Sequence, residues 1–293
     1  MTSVMTACGR AAWRCSMVFV CLALLSAGAV SAQTAQPSAP PKPAPAPPKQ
    51  SPAAPKQAPA ANQKTAEQAD LPSARSIIDR HIKAIGGRAA ILAHKSTHAA
   101  GTISMPSTGI TGPIEVYAAA PDKSFVKISL GGVGDLLEGY DGTHGWTLQP
   151  MMGPMLKQGK ELAEKKFDSD YYSDLHEPER YASMKTIEKT TFEGRPCYKV
   201  SLVRKDGGEE IEFYDADTGL RAGTVQTRET TMGSITATQV LSDYKRFGAL
   251  LLPTTMKQTA LNVEQLLTVT SVEFDNVPPS IFEPPAQIKA LIK

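Results

Sequence analysis

Apolar residues recur at helical spacing in one short stretch and alternate with polar ones almost everywhere else. In LPSARSIIDRHIKAIGG, Ile77, Ile78, Ile82 and Ile85 share one face of a helix, Ser73 is placed to cap its start, and Gly86-Gly87 to stop it. Such a one-sided helix needs a surface to lie on. After residue 95 the period changes to two. In SFVKISL, Val126, Ile128 and Leu130 face one side while Phe125, Lys127 and Ser129 face the other, which marks a strand with one buried and one wetter face.

Runs of this kind continue to the C-terminus, separated by junctions such as KDGG, DADTG, RFGAL and ALNVE. Asp-Gly and Gly-Gly pairs between alternating runs are hairpin signals. The pattern predicts a meander of roughly ten to eleven antiparallel strands with two or three helices, a mainly β, α+β architecture. Successive strands have no helix between them, which excludes a parallel α/β fold. The strands pause once, at LKQGKELAEKKFDSDYYSDLHEPERYASM, where Leu156 to Phe167 reads as a charged helix. Gly159 weakens its first turn and moves its start toward Lys160.

Composition divides the chain in three. Arg10 and Arg14, the apolar run Met17 to Leu25 and the small residues ending at Ala32 have the order of a secretory signal over 1–32; an uncleaved anchor is the alternative. Residues 33–70 hold ten prolines and almost nothing apolar larger than alanine, so this stretch is expected to be an extended, disordered linker. Residues 71–293 are the folded part. Three of the four cysteines lie in the leader, so the processed chain keeps only Cys197 and must rely on its core rather than on disulfides. With 25 basic and 27 acidic residues in 71–293, nucleic acid is not an expected partner.

Candidate chemistry thins out on inspection. In GYDGTHGW, Gly139 to Trp146, Asp141-Gly142 reads as turn chemistry. No second ligand or carboxylate partner can be placed near His144 from the sequence, and Trp146 starts the return strand. His94 and His98 have the spacing of a zinc pair, but HKSTH straddles a helix-to-strand switch and lacks the intervening glutamate. DSDYYSD and YDADTGL collect carboxylates without the later Glu of a calcium loop. GGVGDL leads into a strand rather than a helix, so it makes no phosphate cradle. Cys197 sits inside an alternating strand as a packed thiol. The expectation is a non-enzymatic chain with no catalytic residues, no metal ligands and no cofactor. QPMMGPMLKQG differs from the rest, because methionine suits adaptable apolar surfaces. Met151, Met152 and Met155 could form a mobile lip over a cavity.

The order of features is familiar: a leading helix ending in AIGG, the GYDGTHGW hairpin and the interruption KELAEKKFDSDYYSDL. FEGRPCYKVSLVRKDGGEEIEFYDADTGL follows, then LLLPTTMKQTA and SVEFDNVPPSIFEPP. From about Ser73 to Pro285 the chain resembles bacterial exported proteins of the LolA/LolB-like, outer-membrane-lipoprotein-sorting kind. The resemblance implies an unclosed, strongly curved antiparallel sheet, a half-barrel, whose concave side is lidded by helices and holds acyl chains of lipids or lipoproteins. The lid would be Ser73 to Ile85, with Ile78 and Ile82 inward, and Leu156 to Asp174. Inward cavity candidates are Val126, Ile128, Leu130, Trp146, Tyr198, Val200 and Leu202. The implied function is a periplasmic carrier or sensor, a monomer whose partner is a lipid, a lipidated protein or another envelope protein. The alternative is an envelope scaffold or interaction module whose concave face is filled by its own side chains.

Overall fold

The computed structural model describes residues 71–230 and 233–292, and thirteen strands among them form one antiparallel sheet. The expected leader, 1–32, and linker, 33–70, lie outside the described residues. The strands are β1 (Ser96–Met105), β2 (Ile110–Ala119), β3 (Lys123–Leu130), β4 (Gly134–Tyr140), β5 (Gly145–Gln149) and β6 (Gly153–Leu156), then β7 (Tyr181–Phe192), β8 (Arg195–Arg204), β9 (Glu209–Asp215), β10 (Arg221–Thr230), β11 (Gly233–Phe247), β12 (Leu250–Ala260) and β13 (Val263–Phe274). Their order is β6-β5-β4-β3-β2-β1-β13-β12-β11-β10-β9-β8-β7. The chain thus lays down one meander outward to β6, crosses to the far edge, and returns from β7 until β13 pairs with β1. Edges β6 and β7 are not joined, so the sheet is unclosed. The count exceeds the expected ten to eleven; β6, hidden in the Met-rich stretch, is one of the additions.

The sheet is strongly curled. Helix α3 (Gly159–Asp168) carries Glu164 and Lys165 side by side. Lys165 Nζ donates to Glu138 Oε1 on β4 at 2.7 Å, while Glu164 Oε2 lies 3.5 Å from Arg228 Nη1 on β10. Those strands are seven positions apart in the sheet. A flat sheet would separate them by about 34 Å at roughly 4.8 Å per strand. One helical turn touches both only because the sheet wraps around it. Register slips at Ala100/Gly101 and at Arg221/Gly223 help the bend. At Gly223 a Cβ would stand 2.2 Å from the Gln239 carbonyl of the next strand, so only glycine permits that approach.

Helix α1 (Ala74–Ala84) follows the predicted pattern. Ser73 caps it by accepting from Ser76 N at 3.2 Å, and Ile77, Ile78, His81 and Ile82 are buried. Each isoleucine buried this way contributes about 2 kcal/mol. They pack on Val200, Leu202, Tyr214, Leu250 and Leu252 of the sheet. Arg75 Nη1 donates to the Leu175 and His176 carbonyls, and Arg80 donates to those of Ala216 and Asp217. A second apolar cluster joins β1–β4 to β11–β13 through Ile103, Ile114, Val126, Ile128, Leu241, Met256 and Leu267. Short helices α2 (Arg88–Ile91) and α4 (Ala286–Lys289) complete the fold, with α4 lying beside β6.

Candidate functional site

Beyond the apolar row of Leu241, Met256 and Leu267 the concave face turns polar. Register aligns Gln265, Gln258, Gln239, Thr224 and Glu212 in one row across β13, β12, β11, β10 and β9, and all five are buried. Gln226, Arg228 and Glu210 flank the row. These residues face α3 and the segment after it, which supplies matching charge. Asp168 accepts from Arg228 at 2.7 Å, and Asp174 from Arg221 at 3.1 Å, while Asp170 pairs with Arg180 at 2.9 Å. The acid-rich stretch DSDYYSD is therefore pinned by three arginines.

The centre of this network is fully buried. His176, in a left-handed conformation at φ 47°, donates from Nδ1 to the Asp174 carbonyl and has Nε2 2.9 Å from Glu212 Oε2. Glu212 also accepts from Tyr214 Oη and from Arg221 Nη1. Burial alone would lower the Arg221 guanidinium, but Asp174, Tyr214, Tyr244 and Glu210 raise it, so it stays charged. Burial acts likewise on Arg228, and Asp168, Glu164 and Glu210 outweigh it. Glu138 shows the same balance with the sign reversed: burial pushes its carboxyl up, yet Lys157, Lys165 and Arg228 hold it at about 2.

A cavity of about 60 Å³ opens where the lid meets the sheet. Its apolar wall comes from Ile85, Phe167, Leu241, Leu252 and Met256, and its polar floor from Ser173, Asp174, Arg221, Thr224, Gln226 and Gln239. At roughly 10–15 Å³ per water, this space holds a handful of small groups. His176 and Glu212 do not line it.

The residues singled out from the sequence are distributed as follows. Val126, Ile128 and Leu130 point to the concave side and sit in the cluster that joins β1–β4 to β11–β13; Val200 and Leu202 sit in the cluster beneath α1, with Tyr198 packed beside them. None of the six lines the cavity. Trp146 faces the other way. It pairs with Gly139 and, beyond it, Phe125, on the face opposite Val126 and Glu138. Its ring covers Gly139 so closely that a Cβ there would lie 2.4 Å away. Ile78 and Ile82 form the underside of α1. Met155 is half-buried on β6, whereas Met151 and Met152 are 74% and 53% exposed at the β5–β6 tip and do not line the cavity.

His144 does gain a carboxylate partner, Asp141, at 3.2 Å, and Asp141 Oδ1 also accepts from the Thr143 and His144 amides. The pair closes the hairpin turn between β4 and β5. His94 and His98 diverge, one onto Asp275 and Phe274, the other onto Tyr117 and Glu115. Cys197 is buried against Phe213 and Ala222, and burial pushes its thiol up. The polar row was missed because its residues sit on strands whose two faces are both mixed. The one signal was the spacing of Thr224, Gln226 and Arg228, which share a face.

An open, strongly curved antiparallel sheet with helices held against its concave side defines a recognised class of fold. The chain is similar to a LolA superfamily protein from Nitrosomonas europaea, with 12% identity and a TM-score of 0.50 over 73% of this chain and 99% of that one. It is equally similar to a DUF1329 family protein from Desulfovibrio piger, with 12% identity and a TM-score of 0.50 over 73% of this chain and 97% of that one. The fold is thus LolA-like. No protein-family model matches the sequence, and no curated protein does.

Proposed function

We propose that this chain is a non-enzymatic binding protein of the periplasm that takes acyl chains of lipids or lipidated proteins into the concave face of its curved sheet. The observation that carries the reading is the cavity beneath the lid, where an apolar wall of Leu241, Leu252 and Met256 meets a polar floor. That is the arrangement an amphiphile requires, and each methylene buried is worth about 0.8 kcal/mol. The likeness to a LolA superfamily protein supports the reading at the level of fold. The closed cavity is too small for a long chain, so uptake proceeds with displacement of α1 or of the segment 167–174. The contacts of Arg75 and Arg80 with backbone carbonyls are the ones such a movement breaks. Among the described residues no helix is long and apolar enough to cross a membrane.

A second reading has its own observation. Most of the concave face is filled by the protein's own buried side chains, as an envelope scaffold or interaction module would have it. Native mass spectrometry of the full chain after gentle extraction, with displacement of an apolar fluorescent probe by acyl compounds, separates the two. Co-purifying lipid and displacement are expected; absence of both would leave only the scaffold.

A further inference from the structure

Three residues that line the cavity each carry a buried polar atom with no hydrogen-bond partner within the chain: Arg221 Nε, Thr224 Oγ1 and Ser173 Oγ. They are not surface groups. Thr224 is 4% exposed and Ser173 1%. Leaving a buried donor or acceptor unmatched is costly, so three in one cavity of this size point to something that matches them. We infer that the floor of the cavity is a subsite for an uncharged oxygen group, such as an ester or amide carbonyl or a hydroxyl, at the head of the bound apolar chain.

The chemistry disfavours the charged alternatives. Arg221 Nε can only donate, so the ligand atom facing it must accept, which an ammonium cannot do. An anion is disfavoured by its surroundings. Asp168, Asp174 and Glu210 line the same cavity, and the Arg221 guanidinium already donates to Asp174 and Glu212, each at 3.1 Å. A carboxylate head would meet three like charges beside a cation already engaged. A neutral oxygen accepts from Arg221 Nε without that repulsion, and the two hydroxyls can turn to give or to receive. The apolar remainder then runs along Leu241, Leu252 and Met256.

This inference rests on the acyl-binding reading above, and one experiment tests the two separately. On the full chain at about pH 8, where a carboxylate is ionised, glycerol monooleate and oleate compete against an apolar fluorescent probe. The expected result is that the monooleate displaces the probe at a concentration about tenfold lower than oleate. Thr224→Val, which keeps the side chain's shape, should remove about tenfold of the monooleate affinity and leave oleate unchanged, with a melting temperature no lower than the wild type's because the hydroxyl has no partner to lose. Ser173→Ala should act in the same direction. Displacement by neither compound overturns both the reading and the inference. Oleate binding as well as or better than the monooleate, or equal effects of Thr224→Val on both, overturns the inference and keeps the reading.

Discussion

Glu138 shows how single residues hold this interior together. Its carboxylate is buried on β4 between Lys157 and Lys165, and their charge keeps it ionised down to about pH 2. A carboxyl held below its ordinary value of about 4.5 stabilises the fold above that pH, and the contribution disappears as pH falls through about 2. The size is about 3 kcal/mol. Glu138→Gln should therefore lose about 3 kcal/mol in urea unfolding at neutral pH, because Lys165 is left buried without its partner. The variant should also lose that share of the decline in stability between pH 4.5 and 2; an unchanged acid profile would contradict the assignment. Little of this was legible in the sequence. Alternation shows that Glu138 and Gly139 face opposite sides, but not which side the lid covers, because that depends on how the whole sheet curls. For the same reason Trp146 was expected at the cavity wall and lies on the opposite face.

Elements were far easier to read than faces. Helix α1 was visible in its isoleucine spacing and its Ser73 cap, and the hairpin at Asp141-Gly142 in its turn residues. Both signals are local, and the tertiary structure agrees with them. β6 was hidden because Pro150, Gly153 and Pro154 break the alternation. An edge strand tolerates such residues because part of its backbone needs no partner. Helix α3 starts at Gly159, within a residue of the expected position. Its underside is charged rather than apolar, since Glu164 and Asp168 answer Arg228. The cap gives a local test of the lid. Ser73→Ala should cost about 1 kcal/mol and speed amide exchange within α1 while the amides of β1 and β13 stay protected. Equal acceleration across the sheet would show that α1 does not open by itself.

At the scale of the molecule, the two meanders and the wrap around α3 bring strands seven positions apart to one helical turn, and so create the enclosed face. The sequence showed a sheet with an apolar side and, through its order of features, the curved class. The polar row through Gln239 and Thr224 only acquires meaning once register lines it up beneath the lid. The central claim is that an acyl chain enters this face. The most direct measurement is photo-crosslinking of the full chain with an acyl glyceride carrying a diazirine in the chain, followed by peptide mapping. Adducts on Leu241, Leu252, Met256 or Phe167 are predicted. Adducts confined to the opposite face around Trp146, or none that excess unlabelled glyceride competes away, would contradict it.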